Sequence, residues 1–265
     1  MRCRSGGPVI GSLAVNGATI RRRLVAGDPL IGTVVSLPDV VLAELTASAV
    51  QFVWIDLEHG ALSARDVAPL AIAAGAAGAA SLARVGGPED PALGRALDAG
   101  VDGLVLPRVA SRSEAELAVE RLRYPPRGTR GMAARRGSGY SGESGCAGAE
   151  PVCMVQIESV PAVDEAEAIA EVDGVDALVV GCADLALDMG EDLTGGAPGI
   201  RDAIGHVQRA CSAAGIASGI AGPDDPELLA ELAGERSTVQ VLGADVRIYA
   251  RALSAAFRED AHVRT

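Results

Sequence analysis

The sequence predicts an α/β protein folded as a single (β/α)8 TIM barrel. Short apolar runs alternate with helical segments along the chain, eight such runs can be counted, and charged residues follow several of them. A doubly wound open sheet is the competing fold, but it needs a glycine-rich turn after the first strand, where this chain has Ser36, Leu37 and Pro38. The barrel is therefore the favoured fold.

The predicted elements follow one another from residue 18 to residue 258. Residues 1–17 show no periodicity and are expected to form a loose leader, and residues 259–265 a polar tail. The eight predicted strands are residues 30–36, 52–56, 80–84, 103–107, 152–157, 175–180, 217–220 and 239–242. Helices are predicted at 18–26, 39–48, 64–77, 88–99, 113–123, 163–172, 199–214, 225–233 and 245–257.

Three local signals refine these elements. Ser113 and Glu116 have the spacing of a capping box at the start of the helix at 113–123. Ser159 is expected to cap the helix that follows the strand at 152–157. Residues 127–150 are rich in Gly, Ser and Arg and lack periodicity, which predicts a loop long enough to need a functional reason.

Composition limits the possible classes of function. The chain has 265 residues, of which 49% are hydrophobic and 2% aromatic, so one large domain can build its core from Ala, Val, Leu and Ile. The net charge of −12 argues against nucleic acid or an anionic membrane as a partner. The five cysteines show no CxxC spacing, and no apolar segment has the length of a signal sequence or a membrane span. A cytoplasmic protein is expected.

Two carboxylates are expected to meet at the carboxyl edge of the barrel. Glu158 directly follows one strand, and Asp184 follows the next strand after a Gly-Cys-Ala turn. Strand–helix–strand units are parallel and right-handed, so both side chains point into one crevice. A cation between them would relieve their repulsion, and oxygen ligands favour Mg²⁺ or Mn²⁺ over zinc. Either acid alone could equally be an ordinary first-turn or loop residue, but the pair favours a metal site.

Further charged residues follow the neighbouring strands. Asp56, Glu58 and His59 come at the end of the second strand, and Arg84 ends the third. A histidine held by a carboxylate can act as an acid or base near neutral pH, although a surface-loop histidine is the alternative. A guanidinium at this position must bind an anion, which is either a substrate carboxylate or the nearby Asp56 or Glu58. Barrel active sites lie at this edge, which makes these residues catalytic candidates.

Five segments of the sequence resemble the HpcH/HpaI aldolase / citrate lyase family. They are DLEHG at 56–60, LAR at 82–84, RYPPRGTRG at 123–131, QIES at 156–159 and GCADLALDMG at 181–190. The resemblance covers about residues 18–258 and is strongest to the metal-dependent (class II) 2-oxo-acid aldolases, such as 4-hydroxy-2-oxoheptanedioate aldolase. It implies a homo-oligomer, since the family commonly forms hexamers that exchange their last helix.

The resemblance also implies a role for each candidate residue. Glu158 and Asp184 would bind the divalent metal, which is Mg²⁺ or Mn²⁺ with Co²⁺ as a further candidate. Arg84 would stabilise the enolate, and Asp56 with His59 would form an acid–base dyad. The 2-oxo acid would chelate the metal in a pocket formed by Gln156, Gly181, Ala183 and Glu58.

The implied reaction is the reversible cleavage of a 4-hydroxy-2-oxo acid to pyruvate, or a related 2-oxo acid, and an aldehyde through a metal-bound enolate. The sequence contains no lysine, which excludes a Schiff-base mechanism. One alternative is a synthase or lyase that uses an acyl-CoA or oxaloacetate, with phosphate contacts from Arg127, Arg130, Arg135 and Arg136. A catalytically inactive barrel is a further alternative, which the intact set of charged residues disfavours. Cys182 and Ala186 replace the family's usual Pro and Ser and leave the acceptor open.

Overall fold

Eight parallel strands form a closed barrel in which each strand pairs with the next and the last pairs with the first. The structure is a computed structural model that describes residues 16–140, 150–193 and 197–259. The predicted (β/α)8 fold is confirmed, and every predicted strand boundary lies within two residues of the observed one. The strands are β1 Leu30–Val35, β2 Phe52–Asp56, β3 Ala80–Arg84, β4 Gly103–Leu106, β5 Val152–Ile157, β6 Ala177–Gly181, β7 Ala217–Ala221 and β8 Val239–Ala244.

Eleven α-helices in the described residues accompany the strands. They are α1 Gly17–Ala26, α2 Val40–Ala47, α3 Ala64–Ala76, α4 Ala92–Ala99, α5 Arg112–Leu122, α6 Val160–Asp164, α7 Ala166–Ala170, α8 Cys182–Met189, α9 Pro198–Ala214, α10 Pro226–Ala233 and α11 Asp245–Glu259. A short 3-10 helix, Arg136–Ser138, lies within the predicted long loop. Most of the leader and tail, and residues 141–149 of the loop, lie outside the described residues.

Three of the local predictions need correction. Ser111, not Ser113, caps α5, because its Oγ accepts the N–H of Glu114 and the Glu114 carboxylate accepts the N–H of Ala110. The helix predicted at 163–172 begins earlier and divides into α6 and α7, although Ser159 caps it as expected. The turn predicted before Asp184 is instead the start of α8, so that Asp184 lies in a helical first turn.

The core has an inner layer inside the barrel and an outer layer between the barrel and its helices. Strand residues alternate between the two, since successive side chains point to opposite faces of a sheet. Phe52 and Trp54 on β2 fill much of the inner layer. A Cβ at Gly32 would lie 2.5 Å from the Phe52 ring, so a glycine on β1 is needed to admit this large side chain. None of the described helices has the length and apolar character to span a bilayer.

The seam between the first and last strands is fastened at its carboxyl end by Asp245. Its buried carboxylate accepts hydrogen bonds from Ser36 N (3.0 Å), Ser36 Oγ (2.6 Å) and Leu37 N (3.1 Å). The register of the β1–β8 pair shifts between Gly32 and Val34, so backbone pairing is interrupted just below these bonds. Asp245 therefore holds together the two strand ends that frame the cavity described below.

Candidate active site at the carboxyl rim

A cavity of about 230 Å³ opens at the carboxyl ends of the strands. Most of the residues that the sequence singled out line it: Asp56, His59, Arg84, Gln156, Gly181, Ala183 and Asp184. Glu58 and Glu158 do not line it: Glu58 lies 3.4 Å from Arg84 Nε, and Glu158 accepts the backbone N–H of Arg108 at 2.8 Å. The structure thus brings the predicted residues together at one rim.

Arg84 at the end of β3 is the central cation of this site. Its Nε and Nη2 bind the two carboxylate oxygens of Asp56 at 3.0 and 2.8 Å, and its Nε lies 3.4 Å from Glu58 Oε2. The guanidinium also lies over the Trp54 ring at 5.9 Å, and its side chain is only 10% exposed. Burial lowers the pKa of Arg84, but the hydrogen bond and charge of Asp56 outweigh burial and raise it overall. Arg84 therefore stays charged in the cavity, with its planar fork held in one orientation.

Glu158 and Asp184 form the acidic side of the site. Glu158 follows β5 and accepts the N–H of Arg108 at 2.8 Å, whereas Asp184 is exposed on the first turn of α8. Burial, followed by the negative charges of Glu58 and Asp184, raises the pKa of Glu158 to about 7. A carboxylate destabilised by neighbouring anions is a suitable ligand for a hard divalent cation.

The carboxylates at this site could bind a metal ion only if water or substrate supplied the remaining ligands. No group of three His, Cys, Asp or Glu residues in the described ranges forms a full metal cage. Mg²⁺ is commonly bound through one or two carboxylates, with water and substrate as the remaining ligands. Glu158 and Asp184 match this pattern, so the residues present fit a site shared between protein and substrate.

Arg108 is a site residue whose role the sequence does not reveal. It follows β4 with φ = 57°, an uncommon backbone conformation for a residue other than glycine. This conformation directs its N–H to Glu158 while its Nε and Nη2 bind Glu58 Oε1 at 2.9 and 2.6 Å. Arg108 thereby links the two glutamates, and only its position at a strand end could have signalled it.

His59 lies at the mouth of the cavity. Its imidazole is 62% exposed, and Nε2 is 3.8 Å from Glu58 Oε1, beyond hydrogen-bonding distance. Asp56 accepts the backbone N–H of His59 at 3.3 Å, while both of its oxygens bind Arg84. In this structure Asp56 thus fixes the turn that presents the histidine and does not contact its ring.

Gln156, Gly181 and Ala183 lie where a small anion could bind. A Cβ at Gly181 would lie 2.6 Å from Gln156 Nε2, so glycine leaves room for the Gln156 amide in its present position. Ala183 belongs to the first turn of α8, where backbone N–H groups have no partner within the helix and favour an anion. The arrangement suits a small carboxylate.

Three of the four arginines proposed as a phosphate patch, Arg127, Arg130 and Arg136, are not gathered at this rim. Arg136 donates to Gly100 O just before β4, and Arg127 binds Glu150 just before β5, which places both near the amino ends of the strands. The Arg130 side chain is buried over the Tyr124 ring at 4.5 Å. The structure therefore removes the support that these three residues gave to an acyl-CoA substrate.

The closed barrel and the charged cavity at its carboxyl rim together define the chain as a TIM-barrel protein with an enzyme-like site. The chain belongs to the HpcH/HpaI aldolase/citrate lyase family, whose model matches residues 36–252. It is 35% identical over 246 residues to a hydroxypyruvate/pyruvate aldolase of Cupriavidus necator. The alignment covers 89% of this chain and 91% of that aldolase. This confirms the family resemblance predicted from the five segments.

Solved structures agree with this assignment. A family member from Burkholderia cenocepacia aligns with a TM-score of 0.85 at 33% identity and covers 93% of this chain and 99% of its own. The citrate synthase SbnG aligns with a TM-score of 0.81 at 28% identity, and the alignment covers 95% of this chain and 98% of SbnG. The proteins similar to this chain thus include both an aldolase and a citrate synthase.

Proposed function

We propose that the protein is a divalent-metal-dependent aldolase, a carbon–carbon lyase. Its reaction is the reversible cleavage of a 4-hydroxy-2-oxo acid to pyruvate, or a related 2-oxo acid, and an aldehyde. The main observation in support is the cavity lined by Arg84 and Asp184, beside which burial and the charges of Glu58 and Asp184 raise the pKa of Glu158. The aldolases among its relatives support the broader assignment as a 2-oxo-acid aldolase.

Glu158 and Asp184 would hold a divalent cation, Mg²⁺, Mn²⁺ or Co²⁺, which when bound supplies Lewis acidity for the keto group. The first-turn N–H groups near Ala183, together with Gln156 and Gly181, would bind the carboxylate of the 2-oxo acid. These contacts would orient the substrate so that its keto oxygen faces Arg84.

Cleavage breaks the C3–C4 bond, and its electron pair moves to C3 to give the enolate of pyruvate. The proton of the C4 hydroxyl leaves as the aldehyde carbonyl forms, and His59 at the cavity mouth is our candidate to accept it. Arg84 stabilises the developing negative charge, since Asp56 and Glu58 hold its donors in a fixed orientation before the reaction. A proton then returns to C3 to release pyruvate.

A second candidate function is condensation of the same enolate with an acyl-CoA or with oxaloacetate. The similarity to the citrate synthase SbnG favours it, but the positions of Arg127, Arg130 and Arg136 do not. Pyruvate would be incubated with aldehydes, acyl-CoAs or oxaloacetate, with Mn²⁺, Mg²⁺ or a chelator, and the products identified by mass spectrometry. Aldol products that require metal support the proposal, whereas products from acyl-CoA or oxaloacetate alone would replace it with the second function.

We also propose that the chain forms a cytoplasmic homo-oligomer, as the family resemblance implies. Ile248, Tyr249 and Phe257 on α11 are exposed apolar side chains that association could cover. The described cysteines Cys153, Cys182 and Cys211 are free and buried, which suits a reducing compartment. Light scattering on purified protein would show a single monomer mass if the proposed assembly does not occur.

A further inference from the structure

Arg108 joins two parts of the candidate site. Its backbone N–H donates to Glu158 Oε1 at 2.8 Å, while its Nε and Nη2 donate to Glu58 Oε1 at 2.9 and 2.6 Å. Glu58 Oε2 lies in turn 3.4 Å from Arg84 Nε. Arg108 thus contacts the proposed metal ligand through its backbone and the arginine's partner through its side chain. It belongs to none of the segments that resemble the family motifs.

The backbone of Arg108 adopts a conformation that costs energy. At φ = 57° the Cβ of an L-amino acid is crowded, whereas glycine reaches this region without that cost. Only Tyr140 and Ala197 among the other described non-glycine residues have a positive φ. Such a conformation persists only where surrounding contacts hold it. The hydrogen bonds that Arg108 donates within the described ranges all go to the two glutamates.

Glu58 is a fixed anchor for the Arg108 side chain. The Glu58 side chain is only 4% exposed, whereas that of Arg108 is 64% exposed. The N–H of Glu58 donates to Asp56 Oδ1 at 3.1 Å, which holds the turn that carries the carboxylate. A buried carboxylate needs a cation beside it, and both Nε and Nη2 of Arg108 bind one of its oxygens. The ion pair therefore restrains the exposed arginine and the backbone to which it is attached.

The N–H of Arg108 determines which oxygen of Glu158 is free. It binds Oε1, and no described residue donates to Oε2. A Cβ at Gly181, which lines the cavity, would lie 3.1 Å from Oε2, so this oxygen faces the cavity wall. Oε2 also keeps accessible surface, because the described atoms that lack both a partner and accessible surface include Glu58 Oε2 but not Glu158 Oε2. Oε2 is therefore the oxygen that a cation can reach.

This arrangement depends on the positive φ. Strand β4 before Arg108 and the buried Val109 after it fix the chain on both sides. A change of φ to a negative value therefore rotates the peptide group between them and turns the N–H away from Glu158. The Glu158 carboxylate would then be free to rotate, and its Oε2 would no longer be held in one orientation.

We infer that Arg108 is a positioning residue for Glu158: its ion pair with Glu58 holds the backbone at positive φ, and the N–H held in this way keeps Glu158 Oε2 directed to the cation. This inference rests on the proposed function, in which Glu158 binds a divalent metal. The guanidinium itself is a positive charge, so by charge alone it opposes cation binding. Its loss should therefore favour the cation wherever the backbone conformation is kept.

Two substitutions separate the backbone from the charge. Arg108→Gly and Arg108→Ala both remove the guanidinium, but only glycine keeps a positive φ without strain. Arg108→Gly should bind Mn²⁺ at least about as tightly as wild type. In Arg108→Ala the competent conformation is only partly populated, which raises the apparent Kd in inverse proportion to that population. Its Kd for Mn²⁺, measured from the electron paramagnetic resonance of free Mn²⁺, should be about 5- to 30-fold higher than that of Arg108→Gly.

A second readout distinguishes positioning from a general structural role. Saturating Mn²⁺ should raise deuterium exchange into pyruvate by Arg108→Ala to the rate of Arg108→Gly, because binding selects the competent conformation. Ala110→Gly is the matched control, since it exchanges the same two residue types on the same loop at a position without positive φ. It should keep the wild-type Kd for Mn²⁺. A purely structural role would change urea unfolding and leave the Kd values of the two Arg108 variants equal.

Equal Mn²⁺ Kd values in Arg108→Gly and Arg108→Ala, or tighter binding by Arg108→Ala, would overturn the inference. An equally large change of the Kd in Ala110→Gly would do the same. Wild-type protein and Glu158→Gln distinguish this failure from failure of the proposed function. If wild type binds Mn²⁺, Glu158→Gln does not, and the two Arg108 variants are alike, the assignment of Arg108 is wrong and the metal proposal stands. If wild type binds no Mn²⁺, both are wrong.

Discussion

Replacing Glu158 with glutamine should stabilise the metal-free protein, and more so as the pH rises. The pKa of Glu158 is about 7 in the folded chain against an ordinary value of 4.5. At 1.36 kcal/mol per pH unit, this difference corresponds to about 3 kcal/mol of unfavourable interaction once the group is ionised. Glutamine has nearly the same shape and can still accept the N–H of Arg108, but it carries no charge.

Proton linkage determines how the stability contribution of Glu158 changes with pH. Because the folded pKa lies above the unfolded one, the native state binds the proton more tightly, and the associated stability is present below about pH 4.5 and lost as the pH rises through about 7. Glu158→Gln should therefore exceed wild type in free energy of unfolding by about 1 kcal/mol near pH 5 and by about 3 kcal/mol near pH 8.5. Burial and the Glu58 and Asp184 charges are the physical cause.

Urea unfolding in the presence of a chelator measures this difference, with fluorescence of Trp54, the chain's one tryptophan, as the probe. Adding Mn²⁺ should then stabilise wild type, because the cation binds only the folded state, and should leave Glu158→Gln nearly unchanged. Glu235→Gln, at an exposed acid between α10 and β8, serves as the control. The reasoning is refuted if wild type and Glu158→Gln have the same stability at both pH values, or if Mn²⁺ stabilises them equally.

Three further predictions concern other residues of the barrel rim. Arg84→Lys should slow deuterium exchange into pyruvate by about 100-fold or more, because lysine lacks the planar fork that binds both Asp56 oxygens; near-wild-type exchange would remove Arg84 from the enolate step. His59→Ala should reduce aldol cleavage by about 10²–10⁴-fold while Mn²⁺ and pyruvate titrations stay at wild-type affinity; a collapse of either affinity would make His59 part of the binding shell. Asp245→Ala should lower the free energy of unfolding by about 3 kcal/mol, since it leaves Ser36 N and Leu37 N without their acceptor; a loss below about 1 kcal/mol in urea titrations would show that the seam does not depend on it.

The strands were predictable because all are short apolar runs, and six of the eight, β2 to β7, are buried on both faces, which needs no tertiary information beyond the pattern. The start of α8 was not predictable from the sequence, because Gly181, Cys182 and Ala183 include no side chain that caps a helix. At α5, Ser111 and Ser113 both precede acids at the required spacing, and only the backbone geometry decides between them. Local sequence thus locates elements well but leaves such choices open.

The candidate site was partly predictable for a related reason. Residues at strand ends must meet at one rim once the barrel closes, so Asp56, Arg84 and Glu158 could be assigned to it from order alone. Which acid binds which arginine depends on side-chain conformation, and the pairing of Asp56 with Arg84 was one of two alternatives. Asp224 and Arg247 follow no motif, and only the closure of the barrel shows that they face the same cavity.

The closing seam has a consequence for how the protein becomes active during synthesis. The cavity takes residues from β1 and β2 as well as from β8 and α11, and Asp245 bonds the end of β8 to the segment after β1. A nascent chain that has not yet produced β8 therefore has neither a closed barrel nor a complete cavity, even though six of its predicted site positions are already made by residue 158. Substrate cannot be held by a partly synthesised chain, and activity should begin only when ribosomes have translated beyond Arg247.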